Sequence, residues 1–179
     1  MTAGPFGKAG PFRIAQADTA DDVAAAIGLI RAYAASLPID LAYQNFEAEM
    51  AAMPGDYAPP RGAMLLARDR HDGATGCVGL RPLGGEDCEM KRLYIRPAAR
   101  GSGLGRLLVE GVIAAAERIG YGSMWLDTLP SMTGAIVLYR RFGFEPVAPY
   151  YETPVAGTLF MRRALRGGDT PSDRADLSR

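Results

Sequence analysis

The chain has 179 residues, 48% of them apolar, and its 20 Lys plus Arg balance 20 Asp plus Glu. That size and composition suit one globular domain with a sizeable core and exclude a disordered chain. A net charge of zero gives no bulk attraction to nucleic acid or membrane, and no apolar run approaches the ~20 residues of a membrane span.

Residues 1–11 are rich in Gly and Pro and read as a flexible tail without the apolar core of a signal peptide, so a cytoplasmic location is expected. "FRIAQA" (12–17) reads as a strand. "DTADDVAAAIGLIRAYAASL" opens with acidic and Thr capping chemistry, and Val23, Ile27, Ile30 and Ala34 recur at helical spacing. "AYQNFEAEMAAM" (42–53) reads as a second helix stopped by Pro54-Gly55. "AMLLARD" and "TGCVGLRPL" form a predicted hairpin around "RHDGA", and "CEMKRLYIR" (88–96) is the next strand. "GLGRLLVEGVIAAAERIG" (103–120) carries Leu104, Leu107, Leu108, Val112 and Ala115 on one helical face and ends at Gly120. "SMWLDTL" (123–129) is a strand, and "MTGAIVLYRRFG" (132–143) is a helix that Gly143 stops. "FEPVAPYY" and "GTLFMRRAL" are the last strands, and residues 166–179 are polar and expected to be disordered. The order β-α-α-β-β-β-α-β-α-β-β predicts an α/β (α+β) domain over 12–165, a mixed sheet covered by helices.

Few residues remain for metal or nucleophile chemistry. Cys77 and Cys88 lie in strand-like stretches and read as buried thiols. His71 is the single histidine and reads as a solvated turn residue, so neither a zinc site nor a Ser-His-Asp hydrolase is expected.

The distinctive stretch is "KRLYIRPAARGSGLGRLL" (91–108), a strand, a proline and a glycine-rich turn that opens a helix. Glycines there let backbone N–H groups turn towards a ligand, and the helix start adds unpaired amides and a positive dipole end. Arg100 and Arg106 bring charge that suits phosphate, so the turn reads as a pyrophosphate site. Neither a P-loop nor a dinucleotide fingerprint fits, because Arg106 stands where each pattern needs another residue.

Arg100-Gly101-Ser102-Gly103-Leu104-Gly105 matches R/Q-x-x-G-x-G/A in full, and "LYRRFGF" lies downstream. On this motif and the element order, residues 12–165 resemble the GNAT superfamily of acetyl-CoA-dependent N-acetyltransferases. The resemblance implies a mixed, mostly antiparallel sheet of about seven strands. It implies that the amides of Arg100, Gly101, Ser102, Gly103, Leu104 and Gly105, with Arg106, bind the coenzyme A pyrophosphate. It also implies that the backbone of Leu93, Tyr94 and Ile95 pairs with the pantetheine arm like an added strand. The Asn that many relatives carry seven residues before the tyrosine of the "GF" pair is here Met132, with Ser131 and Thr133 as possible substitutes.

Acetyl transfer needs a neutral amine, a donor to the developing oxyanion and a proton for the leaving thiolate. Glu89, eleven residues before Arg100, is the base candidate, with a Glu89–Lys91 surface pair as the plain alternative. Alternation places Glu89, Lys91 and Leu93 on one face and Met90, Arg92 and Tyr94 on the other, so the charged pair suggests an open cleft. The resemblance makes Tyr139 the acid, while Ala135, Leu138 and Phe142 offer it a purely structural setting as an aromatic core residue. The Leu93 amide is the expected oxyanion donor. Arg61, Lys91 and Arg92 are candidates for an acceptor carboxylate, and Tyr57, Tyr150 and Tyr151 for the pocket wall. The partners expected are acetyl-CoA and a small amine carrying an acidic group, such as an amino acid, with no nucleic acid, membrane or metal, and a homodimer is compatible with the family. A GNAT-fold module that binds acetyl-CoA without turnover is the second reading.

Overall fold

A computed structural model describes residues 8–165; the expectations for 1–7 and 166–179 fall outside the described residues. The strands are β1 (Lys8–Ala9), β2 (Phe12–Gln16), β3 (Ala63–Arg68), β4 (Ala74–Gly84), β5 (Asp87–Ile95), β6 (Ser123–Thr128), β7 (Glu145–Val147) and β8 (Leu159–Ala164). The helices are α1 (Ala20–Ser36), α2 (Phe46–Ala52), α3 (Leu104–Ile119) and α4 (Thr133–Arg141). They form one open sheet in the order β1-β2-β3-β4-β5-β6-β8-β7. Every neighbouring pair is antiparallel except β5–β6, which α3 joins as a crossover. The seven anticipated strands are present, and β1 is an added two-residue edge inside the stretch read as a tail.

Local chemistry sets most boundaries. Thr19 caps α1 by accepting from the Asp22 amide at 3.1 Å, and Leu37, before Pro38, is already extended. α3 stops at Gly120, whose φ of 99° lets its amide return to the Ala116 carbonyl. In the β3–β4 turn the Asp69 carboxylate accepts from the His71 and Gly73 amides, and His71 is exposed as expected. The second helix is shorter than 42–53, because Leu41–Gln44 form a 3-10 turn and Asn45 takes a left-handed conformation before α2. "FEPVAPYY" pairs only over Glu145–Val147, and residues 148–158 form a loop folded over the sheet.

Two cores lie on opposite faces. One packs Leu65, Val78, Leu80, Met90, Met124 and Met161 against Leu104, Leu108 and Val112 of α3 and Tyr139 of α4. The other packs Met64, Leu66, Cys77 and Tyr94 against Leu29 and Ile30 of α1 and Phe46 and Met50 of α2. Cys77 and Cys88 are both buried and free, and burial pushes each thiol up to about 12. They stay protonated at neutral pH and are poor nucleophiles.

The alternation along β5 differs from the expectation. Arg92 has φ of +59°, and the β4–β5 register slips between Cys77 and Gly79. This bulge inserts one residue, so Leu93 and Ile95 join Met90 on the α3 side while Lys91, Arg92 and Tyr94 share the opposite side. A non-glycine residue held there costs roughly 1–3 kcal/mol. The Arg92 guanidinium offsets it by gripping Glu49 of α2 with two bonds, at 2.7 and 3.0 Å, and by reaching the Gln44 side chain at 3.1 Å.

Candidate active site

Strands β5 and β6 pair only over Asp87–Ser123, Cys88–Met124 and Glu89–Trp125. Beyond Glu89 they part, because the bulge twists the far half of β5 away. Two cavities occupy the gap. The outer one, about 890 Å³, is a groove between the glycine-rich turn, the far half of β5 and α4. The inner one, about 80 Å³, lies between β5 and β6 and is lined by Lys91, Asp127, Thr128 and Tyr139, among others. Tyr33, Leu93, Met132 and Ala135 line both, so the two cavities adjoin along a shared wall.

The groove gathers Leu93, Tyr94, Ile95, Arg100, Gly101, Gly103, Gly105 and Arg106, eight of the ten residues expected at a coenzyme. The other two lie in the same turn with their side chains elsewhere: Ser102 donates to the Ala99 carbonyl at 2.6 Å, and Leu104 is a core residue. Gly103 caps α3 with φ of +84° and no side-chain hydrogen bond, which leaves the first-turn amides without a side-chain acceptor. Gly105 sits close to its neighbours, since a Cβ there would stand 3.1 Å from Ile95 Cδ1 and the isoleucine would have to give slightly. The turn therefore fits a phosphate by its amides, and the adjacent β5 edge fits an extended arm with amide groups. Ser131, Met132 and Thr133 also line the groove. Replacing Gly103 by Val is expected to weaken acetyl-CoA binding about tenfold or more, since the new side chain loads a left-handed position and projects where the phosphates must approach. Calorimetric titration of the variant checks this, and an unchanged Kd places the phosphates elsewhere.

A row of alternating charges leads to the inner cavity along the α1–α2 side of the sheet. Arg92 pairs with Glu49, Arg81 lies 4.0 Å from Glu49 and 2.8 Å from Glu89, and Lys91 lies 3.5 Å from Glu89 and 2.6 Å from Asp127. Tyr57 donates to Glu49 at 2.7 Å, and Tyr150 donates to Glu89 at 2.6 Å. Burial alone would raise the Glu49 carboxyl, but the Arg92 hydrogen bonds and charge prevail and hold it below its ordinary value.

The base candidate and the acid candidate are placed differently. Glu89 is 1% exposed, is enclosed by Arg81, Lys91 and Tyr150, and lines neither cavity. The opening is at Lys91, one turn of the pleat further on. Tyr139, 7% exposed, lines the inner cavity while its ring packs edge-on against Phe144. Burial, with the neighbouring Tyr33 and Asp127, pushes its hydroxyl well above the ordinary tyrosine range, so it keeps its proton.

Asp127 was missed by sequence reasoning. It follows Trp125 by two in β6, and a charge inside an apolar strand beside the glycine turn was the available signal. Two acceptor candidates lie elsewhere. Arg61 donates to the Gly85 carbonyl and stacks on Tyr121, and Tyr57 is a core residue. Tyr150 and Tyr151 pack with Phe160 on the face that Lys91 and Asp127 share. Among the described residues no group of three His, Cys, Asp or Glu is arranged to hold a metal, and no helix is long and apolar enough to cross a membrane.

Residues 60–146 match the model of the acetyltransferase (GNAT) domain. An uncharacterised N-acetyltransferase of Schizosaccharomyces pombe is 47% identical over 135 residues, 75% of this chain and 83% of the relative. A GNAT-family acetyltransferase structure from Staphylococcus aureus superposes with a TM-score of 0.72 at 19% identity, over 87% of this chain and 99% of that one. A Salmonella typhimurium structure, described as an acetyltransferase with its cofactor acetyl-CoA, gives 0.62 at 19% identity, over 91% and 99%. With the glycine-rich turn, the parted strands and this sequence likeness all in agreement, the chain belongs to the GNAT family and is an acetyl-CoA-dependent acyltransferase.

Proposed function

We propose that the protein moves the acetyl group of acetyl-CoA to the primary amine of a small acceptor, by direct attack within a ternary complex. The observation that carries this is the pair of adjoining cavities, which share Tyr33, Leu93, Met132 and Ala135. A coenzyme in the outer groove and an amine in the inner cavity meet at the shared Leu93, with Tyr139 on the inner side. Bound acetyl-CoA supplies an activated thioester. The chain's own contribution is to align two reactants, to hold protons and to exclude water.

In this reading the Leu93 amide donates to the carbonyl oxygen as it gains charge. Asp127, facing the cavity and oriented by Lys91, takes the proton from the attacking amine. Tyr139 gives its proton to the departing sulfur. Glu89 supports Lys91 and does not touch the substrate. Transfer through a cysteine is disfavoured, because both thiols are buried and protonated.

The acceptor's own chemistry follows from charge. Lys91 and Arg92 are already paired with carboxylates, so a carboxylate on the acceptor finds no uncommitted partner in either of them. A small neutral or weakly polar primary amine fits the 80 Å³ inner cavity best. The test is thiol release from acetyl-CoA across a panel of primary amines. Amine-dependent release is expected with at least one small member. Release with none, while acetyl-CoA still raises Tm, overturns transfer in favour of binding alone.

A further inference from the structure

The outer groove has a wall that neither the glycine turn nor the β5 edge explains. Its α4 side presents Gly134, Val137, Leu138 and Arg141, at the i, i+3, i+4, i+7 spacing of one helical face. Val137 is 49% exposed, more than any other large apolar side chain among the described residues. Arg141 is exposed in the last turn, and its guanidinium makes no hydrogen bond or ion pair with any described residue.

The other two arginines of the groove are engaged. Arg106 pairs with Glu110 one turn along α3, and Arg100 donates to the Ile95 carbonyl at 3.2 Å. The groove thus offers two separate places for anions. One is the set of amides that opens α3. The other is the uncommitted guanidinium across the groove, one helical turn from an exposed apolar side chain. Coenzyme A carries two separate anionic groups in the same sense, a pyrophosphate and a ribose 3′-phosphate, with the apolar face of adenine beside the second.

We propose that Arg141 binds the 3′-phosphate of coenzyme A and that Val137 packs against its adenosine, so that this face of α4 selects coenzyme A over 3′-dephospho-coenzyme A. The assignment rests on the acetyl-CoA reading of the groove. A guanidinium suits the site because its planar donors meet a phosphate with two parallel bonds. Arg140, the next residue, is not part of the groove lining and serves as a control of equal charge.

The experiment is calorimetric titration of coenzyme A and 3′-dephospho-coenzyme A against wild type, Arg141→Gln and Arg140→Gln at one fixed salt concentration. Both substitutions lie on exposed positions and leave the core untouched. Wild type is expected to prefer coenzyme A by about tenfold or more, the effect of a charge-assisted hydrogen bond. Arg141→Gln is expected to lose that preference to within about threefold while binding the dephospho form as wild type does, and Arg140→Gln to keep it. The proposal is overturned if Arg141→Gln retains the wild-type preference, if wild type shows none, or if Arg141→Gln weakens both ligands equally. Failure of wild type to bind either ligand is a different result, and it rejects the coenzyme reading of the groove itself.

Discussion

Tyr139→Phe is expected to lower kcat by roughly a hundredfold or more while leaving the Kd for acetyl-CoA within about threefold of wild type. The ring is retained, so its edge contact with Phe144 and its place in the core persist. Only the hydroxyl is lost, and with it, in the proposed mechanism, the proton for the leaving thiolate. Burial and the nearby Tyr33 and Asp127 keep that hydroxyl protonated through the neutral range, so the group is available at the pH where the amine must be free. Asp127→Asn provides the paired measurement. Its shape is conserved, but it cannot take a proton, and a comparable fall in kcat is expected. Steady-state kinetics with acetyl-CoA titrated in parallel separates the two effects. A Tyr139→Phe enzyme with wild-type kcat removes the acid role and leaves Tyr139 as a core aromatic.

Glu89→Ala is expected to destabilise the fold by roughly 3–5 kcal/mol, because it leaves Arg81 and Lys91 partly buried without their shared carboxylate. For a domain of this size that corresponds to a fall in Tm of roughly 6–20 °C. Glu89→Gln keeps the shape and an oxygen for the Tyr150 hydroxyl, so its loss should be smaller. The two roles for Glu89 separate cleanly here. As a support for Lys91, Glu89→Gln keeps measurable turnover, with the amine KM affected more than kcat. As the base, it loses turnover as completely as Asp127→Asn and melts near wild type, and that result returns the proton to Glu89. Thermal melts and amine-dependent kinetics on the same preparation decide it.

The difference between Glu89 and Asp127 marks the boundary of what the chain reveals before it folds. Helices and strands were legible because their causes are local. A Thr cap, a Gly stop and a 3.6-residue period each act within a few residues. The glycine-rich turn was legible for the same reason, since Gly101 and Gly103 take positive φ angles of 76° and 84° where other residues resist them. The tyrosine of "LYRRFGF", Tyr139, lines the inner cavity.

The inner cavity depends on one residue out of step. Period-two alternation assumes an unbroken ladder, and Arg92 breaks it with a bulge whose positive φ no propensity of arginine foretells. After it Leu93 changes face, β5 leaves β6, and the gap opens at Lys91 and Asp127 rather than at Glu89. Holding the bulge takes Glu49, forty-three residues earlier on α2, and closing Glu89 takes Tyr150, sixty-one residues later. Such pairings join segments that only the sheet order brings together. Backbone conformation near a glycine is a property of the chain, whereas the partner of a buried charge is a property of the fold.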